Sequence, residues 1–153
     1  MIREISLSIE NQPGRIYAVV RGLADQQIDI AGMSVSGEET RGVLRLIVDD
    51  LATARRTLMH LQLPARLERV VAAEVPDEPG GLARVLRPLG DEGIDVQGLY
   101  AFRYSPVGAA VVILRTEDDK RTETVLSDAG IRVFHHELPG QRAVGAESSG
   151  TGY

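Results

Sequence analysis

Asn11-Gln12-Pro13-Gly14-Arg15-Ile16 returns as Asp77-Glu78-Pro79-Gly80-Gly81-Leu82, and Ile28-Asp29-Ile30 returns as Ile94-Asp95-Val96. The offset is 66 residues throughout, so no gap separates the two motifs. Working outward, Val19, Arg21, Leu23, Asp25 and Gly32 recur as Val85, Arg87, Leu89, Asp91 and Gly98. A constant offset over a whole segment marks a duplicated folding unit. Whatever site one copy carries is expected in some form in the other.

Around the first motif, Ile5, Leu7 and Ile9 alternate with Glu4, Ser6 and Ser8, the period of a strand with one buried side. Pro13-Gly14 breaks it, and Ile16, Val19, Val20 and Leu23 then fall at helical spacing. Asp29 to Ser36 reads as a second strand, Gly37 to Gly42 as a turn and Val43 to Val48 as a third strand. Asp49-Asp50 precedes a helix with an apolar face of Leu51, Ala54, Leu58 and Leu61, and Arg66 to Val75 is extended. The second copy repeats the order. Its first helix carries Leu82, Val85, Leu86 and Leu89, with Pro88 expected to kink or shorten it. Ile94 to Tyr104 and Ala109 to Leu114 read as strands around a turn at Ser105 to Gly108. Thr122, Val125, Leu126 and Ala129 read as a helix stopped by Gly130, and Ile131 to Phe134 as a final strand.

The order strand, helix, strand, strand, helix, strand predicts the α+β class: two ferredoxin-like βαββαβ units in tandem, each an antiparallel sheet with both helices on one face. The expected domains are 1–68 and 69–138, with Arg66 to Val75 as shared strand rather than flexible linker and a disordered tail over 139–153. The helix-free sheet faces and the strand edges need covering, from which a homodimer is expected.

The chain has 153 residues, 43% hydrophobic and 25% charged, as in soluble globular proteins. Units under seventy residues bury little of their surface alone, so the two should pack together or the chain should oligomerise. The net charge is −5 and no basic stripe exists, which argues against nucleic acid. No cysteine excludes disulfides, thiolate catalysis and cysteine metal sites. No apolar stretch is long enough for a transmembrane helix and Met1-Ile2-Arg3-Glu4 lacks a signal-peptide pattern, so no membrane partner and a cytoplasmic location are expected.

The Pro-Gly junctions hold the best candidate chemistry. Gly14 and Gly80 lack a Cβ, so the main chain can approach a ligand. Each junction opens onto a helix N-terminus, where free N–H groups and the positive dipole end suit a carboxylate. Asn11 and Asp29 in one unit, Asp77 and Asp95 in the other, are expected nearby, where an Asp can accept from an ammonium group. Together these subsites describe an α-amino acid. A Pro-Gly turn after a strand is also common and Asp or Asn there can simply cap a helix, so the residues alone leave both readings open.

These motifs resemble those of the ACT domain, a small regulatory module that binds amino acids. The resemblance covers about residues 2 to 135, as two modules. It implies the βαββαβ fold, edge-to-edge pairing of modules into a continuous sheet, and ligands held between modules near the first loop. The candidate binding residues are Asn11, Gln12, Pro13, Gly14, Arg15, Ile16, Asp29 and Ile30, then Asp77, Glu78, Pro79, Gly80, Gly81, Leu82, Asp95 and Val96. In ACT domains that bind serine, Asn residues at the positions of Asn11 and Asp29 touch the ligand, with a histidine where Ile9 and Val75 stand here. The side-chain preference therefore stays open.

Other constellations read as structural. Tyr100, Phe102 and Tyr104 share a face, as bases stacking on a sheet would require, or as a packing row would. His135-His136-Glu137 alternates across a strand, and Glu117, Asp118 and Asp119 read as a solvated cap. Ser34, Ser36, Ser105 and Ser127 have no base partner. The expectation is a non-catalytic regulator that binds an amino acid and uses no cofactor or metal. The alternative is a regulatory subunit of an amino-acid biosynthetic enzyme, acting through protein contacts.

Overall fold

One strand carries the chain from the first repeat into the second. In the computed structural model, which describes residues 1–37, 39–104 and 109–138 (Tyr104 by its backbone alone), β4 spans Ala65–Pro76. It pairs antiparallel with β1 (Ile2–Glu10) from Ala65 to Val70, then with β6 (Ala109–Thr116) from Val71 to Pro76. The first repeat adds α1 (Arg15–Asp25), β2 (Ile30–Gly37), β3 (Arg41–Val48) and α2 (Leu51–His60). The second adds α3 (Gly81–Asp91), β5 (Val96–Tyr104), α4 (Asp119–Asp128) and β7 (Val133–Phe134). The strand order is β2-β3-β1-β4-β6-β5, with β7 beside β4. This is the duplicated βαββαβ order that the periodicities predict. The expected turn at Ser105 to Gly108 and tail over 139–153 lie outside the described residues.

The helices form because each presents a narrow apolar stripe. Val19 and Leu23 of α1, with Ala54 and Leu58 of α2, bury against Ile5, Leu7, Leu44 and Leu46. Val85, Leu89 and Leu126 bury against Val71, Ala73, Val112 and Leu114. Asp50 and Asp118 cap α2 and α4, accepting from the amides of Thr53 and Arg121 at 2.9 and 3.0 Å. Three local expectations need correction. Ile16 and Leu82 stand at the surface rather than in the stripes, because each helix dips onto its sheet only one turn later. Pro88 does not shorten α3, which has the same 11 residues as α1. The missing amide bond, costing about 3 kcal/mol, is outweighed by the stripe on either side, Val85 and Leu89, both buried. The last strand contracts from Ile131–Phe134 to Val133–Phe134.

The larger finding concerns the helix-free faces. They meet each other, the first of the two outcomes that units this small allow. Ile2, Ile47, Val70 and Ala72 form one core with Val111, Ile113 and Phe134, flanked by Tyr100 and Phe102. The layers are therefore helices, sheet, sheet, helices. Closure brings the two end strands together: the Phe102 ring lies 2.7 Å from where a Cβ on Gly32 would stand. No other residue fits at Gly32 without moving that ring. The aromatic row of β5 thus serves packing, and Tyr100 and Phe102 are not free to stack on bases; the side chain of Tyr104 is outside the described residues.

Candidate functional site

The two Pro-Gly junctions have the same geometry. Gly14 and Gly80 are the N-caps of α1 and α3, both at φ 84° and ψ −6°, in the left-handed region where a side chain costs strain. Neither cap carries a side-chain hydrogen bond, and the space where a Cβ would stand is clear to 4 Å at both glycines. The first helical amides, Arg15 and Gly81, donate to the Gln12 and Glu78 carbonyls at 3.2 and 3.0 Å, and the amides that follow in a helix N-terminus without a side-chain cap are the ones that suit an anionic group.

The flanking side chains differ. At the first mouth the Arg15 guanidinium pairs with Glu10 at 3.2 Å, and Asn11 Nδ2 donates to the Glu39 carbonyl at 3.4 Å. Gln12, Pro13 and Ile16 are exposed around it. At the second, Arg103 holds Asp77 at 2.9 Å and Arg84 holds Glu78 at 3.3 Å, beside exposed Pro79 and Leu82. Gly81 is buried; a Cβ there would stand 2.0 Å from the Pro76 carbonyl oxygen, so its bareness serves packing rather than access.

Asp29 does not join Asn11. The Asp29 amide donates to Asp49 Oδ1 at 2.9 Å, whereas the Asn11 amide donates to the Thr40 carbonyl. Thr40 and Asp49 bracket the whole of β3, so the two candidate residues are roughly 30 Å apart. Asp95 and Asp77 are likewise at opposite ends, since Val96 pairs with Thr116 and Pro76 with Ala109. Ile30 and Val96 start β2 and β5 beside the two aspartates and pack into the helix-side cores. The reason is direction: β1 and β2 run the same way, so β2 begins where β1 begins and not where it ends.

Beside the first mouth lies a cleft of about 360 Å3 that sequence reading missed. Glu10, Arg15 and Arg41 line its rim, and Ile9, Leu61 and Leu63 its floor. Arg41 Nε donates to Ser8 Oγ at 3.3 Å. The signal for Arg41 was the turn after β2, which sets it opposite Glu10; the contribution of Leu61 and Leu63 depends on how α2 returns to β4 and has no local signature.

Between the sheets lies a polar group that the alternation of β1 places on the wrong side. Glu4 was expected on the solvated face and is fully buried. The Tyr100 hydroxyl donates to its Oε2 at 2.6 Å, and Arg45 stands 3.6 Å from Oε1. Burial raises the carboxyl pKa above its ordinary value against the pull of Tyr100, Arg115 and Arg45. Burial and the facing carboxylate raise the Tyr100 phenol in turn.

Among the described residues no three histidine or acidic side chains converge as metal ligands, and no helix is long and apolar enough to cross a membrane. The fold is similar to that of a crystallised protein from Bacteroides thetaiotaomicron, at TM-score 0.80 and 27% identity over 87% of this chain and 91% of that one. It is also similar to the regulatory subunit of aspartate kinase from Thermus thermophilus, at TM-score 0.60 and 17% identity over 83% and 91%. A structure of aspartokinase alpha and beta subunits aligns at TM-score 0.56 and 18% identity, over 84% and 91%. No curated protein matches the sequence. The family model for the ACT domain pair, a regulatory module, matches residues 1–137, and with the duplicated fold and twin loop geometry already described, the chain belongs to that family.

Proposed function

We propose that this ACT domain pair is a non-catalytic, cytoplasmic sensor of an amino acid. The single observation that carries the reading is the pair of uncapped helix mouths with identical left-handed glycines. Each offers main-chain N–H groups to a carboxylate, and hydrogen bonds to a charged group contribute about 1.5–3 kcal/mol each. At the first mouth Glu10 is placed to accept from an ammonium group, and the apolar floor of the adjoining cleft to take a side chain. The second mouth, with Asp77 and Glu78 held by arginines, is the weaker site or selects another ligand.

Because Asn11 and Asp29 stand at opposite ends of one unit, a ligand that touches both is held between two copies. The exposed apolar Met33 and Val35 of β2 support such an association. Coupling requires the ligand to prefer one association state. Thermal melting of the full chain with each common amino acid at millimolar concentration tests the reading. At least one should raise the melting temperature saturably. Gly14→Ala should abolish most of that shift while lowering intrinsic stability by only about 1–2 kcal/mol, the cost of a left-handed side chain. If no amino acid shifts the melting point, sensing of a free amino acid is wrong. A second reading, a regulatory subunit of an amino-acid biosynthetic enzyme, draws on the fold shared with an aspartate kinase regulatory subunit; co-purification of such an enzyme would favour it.

A further inference from the structure

We propose that the seam where β2 meets β5 binds a small oxyanion, a carboxylate or phosphate group, through Arg45 of the first repeat and Arg115 of the second. This site is separate from both helix mouths and does not depend on the sensor reading.

The seam exists because the sheets fold onto each other only partway. Cross-strand register places Ser34, Arg45, Ser6 and Arg66 in one row on the helix-free face of the first repeat. The next row, Gly32, Ile47, Glu4 and Glu68, lies deeper, where Phe102 and Tyr100 close over it. At that boundary a cavity of about 260 Å3 opens, bordered by Ser34, Ser36 and Arg45 on one side and Gln97, Tyr100 and Arg115 on the other. Its lining holds two guanidinium groups and no carboxylate. Glu4 and Glu68, the acids that face those arginines, are not part of that lining.

The arginines are held but not satisfied. Arg45 Nη1 donates to Ser36 Oγ at 3.0 Å. Its Nε and Glu4 Oε1 are both buried without a hydrogen-bond partner and stand 3.6 Å apart, an ion pair too long to be a hydrogen bond. Arg115 is 3.8 Å from Glu68. Charge-assisted hydrogen bonds between such groups close to about 2.7–2.9 Å, so both ion pairs leave donors unspent. Arg115 is also positioned deliberately by the main chain: its guanidinium lies over Gly98, where a Cβ would stand 2.6 Å from Nη2. The β-bulge between Val96 and Gly98 sets that glycine under it. With the side chains of Arg45 and Arg115 only 14% and 24% exposed, both cations are largely desolvated and already ordered. An oxyanion entering the cavity would meet two forked donors, two serine hydroxyls and an amide without the entropic cost of collecting them. It would bridge two repeats that are joined by β4, by packing and by the Tyr100–Glu4 hydrogen bond.

Titration of the full chain in a chloride- and phosphate-free buffer tests the assignment. The probes are inorganic phosphate and succinate; the readouts are melting temperature and the Arg Nε–H resonances of a 15N-labelled sample. Expected is a saturable rise in melting temperature with one of the two probes, and shifts confined to two arginine resonances that vanish in Arg45→Lys and Arg115→Lys. Saturation by phosphate alone identifies a phosphate site, and by succinate alone a carboxylate site. Arg115→Gln, which leaves the Arg45–Glu4 pair in place, should weaken binding at least tenfold, and Gly98→Ala, which displaces the Arg115 guanidinium, by a similar factor. Arg55→Gln, exposed on α2, should leave it unchanged. A linear, unsaturated rise equal in Arg115→Gln and the parent chain would mean an adventitious ion only and would overturn the proposal. So would saturable binding whose resonance shifts map to Arg15 and Arg41, because the anion would then belong to the first mouth; Gly14→Ala separates the two, as it should affect amino-acid binding and spare the seam.

Discussion

The two repeats agree on their outer faces and disagree on their inner ones. Val19, Leu23 and Leu58 correspond to Val85, Leu89 and Leu126, Asp50 to Asp118 and Gly14 to Gly80. On the inner faces Ser6, Ser34, Ser36 and Arg45 correspond to Ala72, Tyr100, Phe102 and Ile113. At these positions the first face is polar and the second is apolar or aromatic, with Arg115 further along the second. The difference follows from size. A unit this small needs a second core to be stable, and the second repeat supplies an apolar half-face that covers Ile2, Ile47 and Val70. The remainder of the first repeat's face borders the open cavity and is polar, since a large bare apolar sheet would aggregate. Duplication thus conserved how each unit holds its helices and let the inner faces specialise into a cover and a partly open cavity.

Substitutions can break that contrast or sharpen it. The largest effect should come from Ile113→Ala, which empties a fully buried position between the sheets. A loss of about 2–5 kcal/mol is expected in urea unfolding; a loss well under 1 would show that the inner core contributes little. Next is Tyr100→Phe, which leaves a buried Glu4 oxygen without its 2.6 Å donor and should cost about 1–3 kcal/mol.

Glu4 also has a pH signature. Its folded pKa lies above 4.5, so from about that value upward the native state holds a proton that the unfolded chain has released. Stability should therefore fall as pH rises from 4.5 through the folded pKa of Glu4. Glu4→Gln should flatten this part of the melting-temperature profile, and an unchanged slope would mean that Glu4 ionises freely. The smallest effects belong to the matched caps. Asp50→Ala and Asp118→Ala should each cost about 1 kcal/mol, and unequal losses would mean the outer faces have diverged too. The Asp50 carboxyl is held below its ordinary 3.8 by the Thr53 hydrogen bonds, so its contribution is present above that pH and is lost as pH falls through the depressed value.

Much of this was legible in the chain. The alternation of Ile5, Leu7 and Ile9, the stripe of Val19 and Leu23 and the cap at Asp50 are local patterns, and local patterns reach the fold intact. The two mouths were legible as well, because Pro-Gly chemistry acts over a few residues. Pro88 leaves α3 at full length because a helix embedded in packing tolerates what an isolated one does not. The pairing of Asn11 with Asp29 was misread because strand direction, not sequence distance, decides which loop ends are neighbours.

Sequence alone therefore determined the duplicated order of elements, the helix-facing residues and the bare glycines at the helix mouths, all set by periodicity and backbone sterics within one repeat. Only the tertiary structure decided that the helix-free faces close on each other, that Glu4 is interior and that Arg45 and Arg115 share a cavity. The physical reason is separation: Glu4 meets the Tyr100 hydroxyl across 96 residues of chain, and the burial that raises its pKa exists only once the two sheets have met.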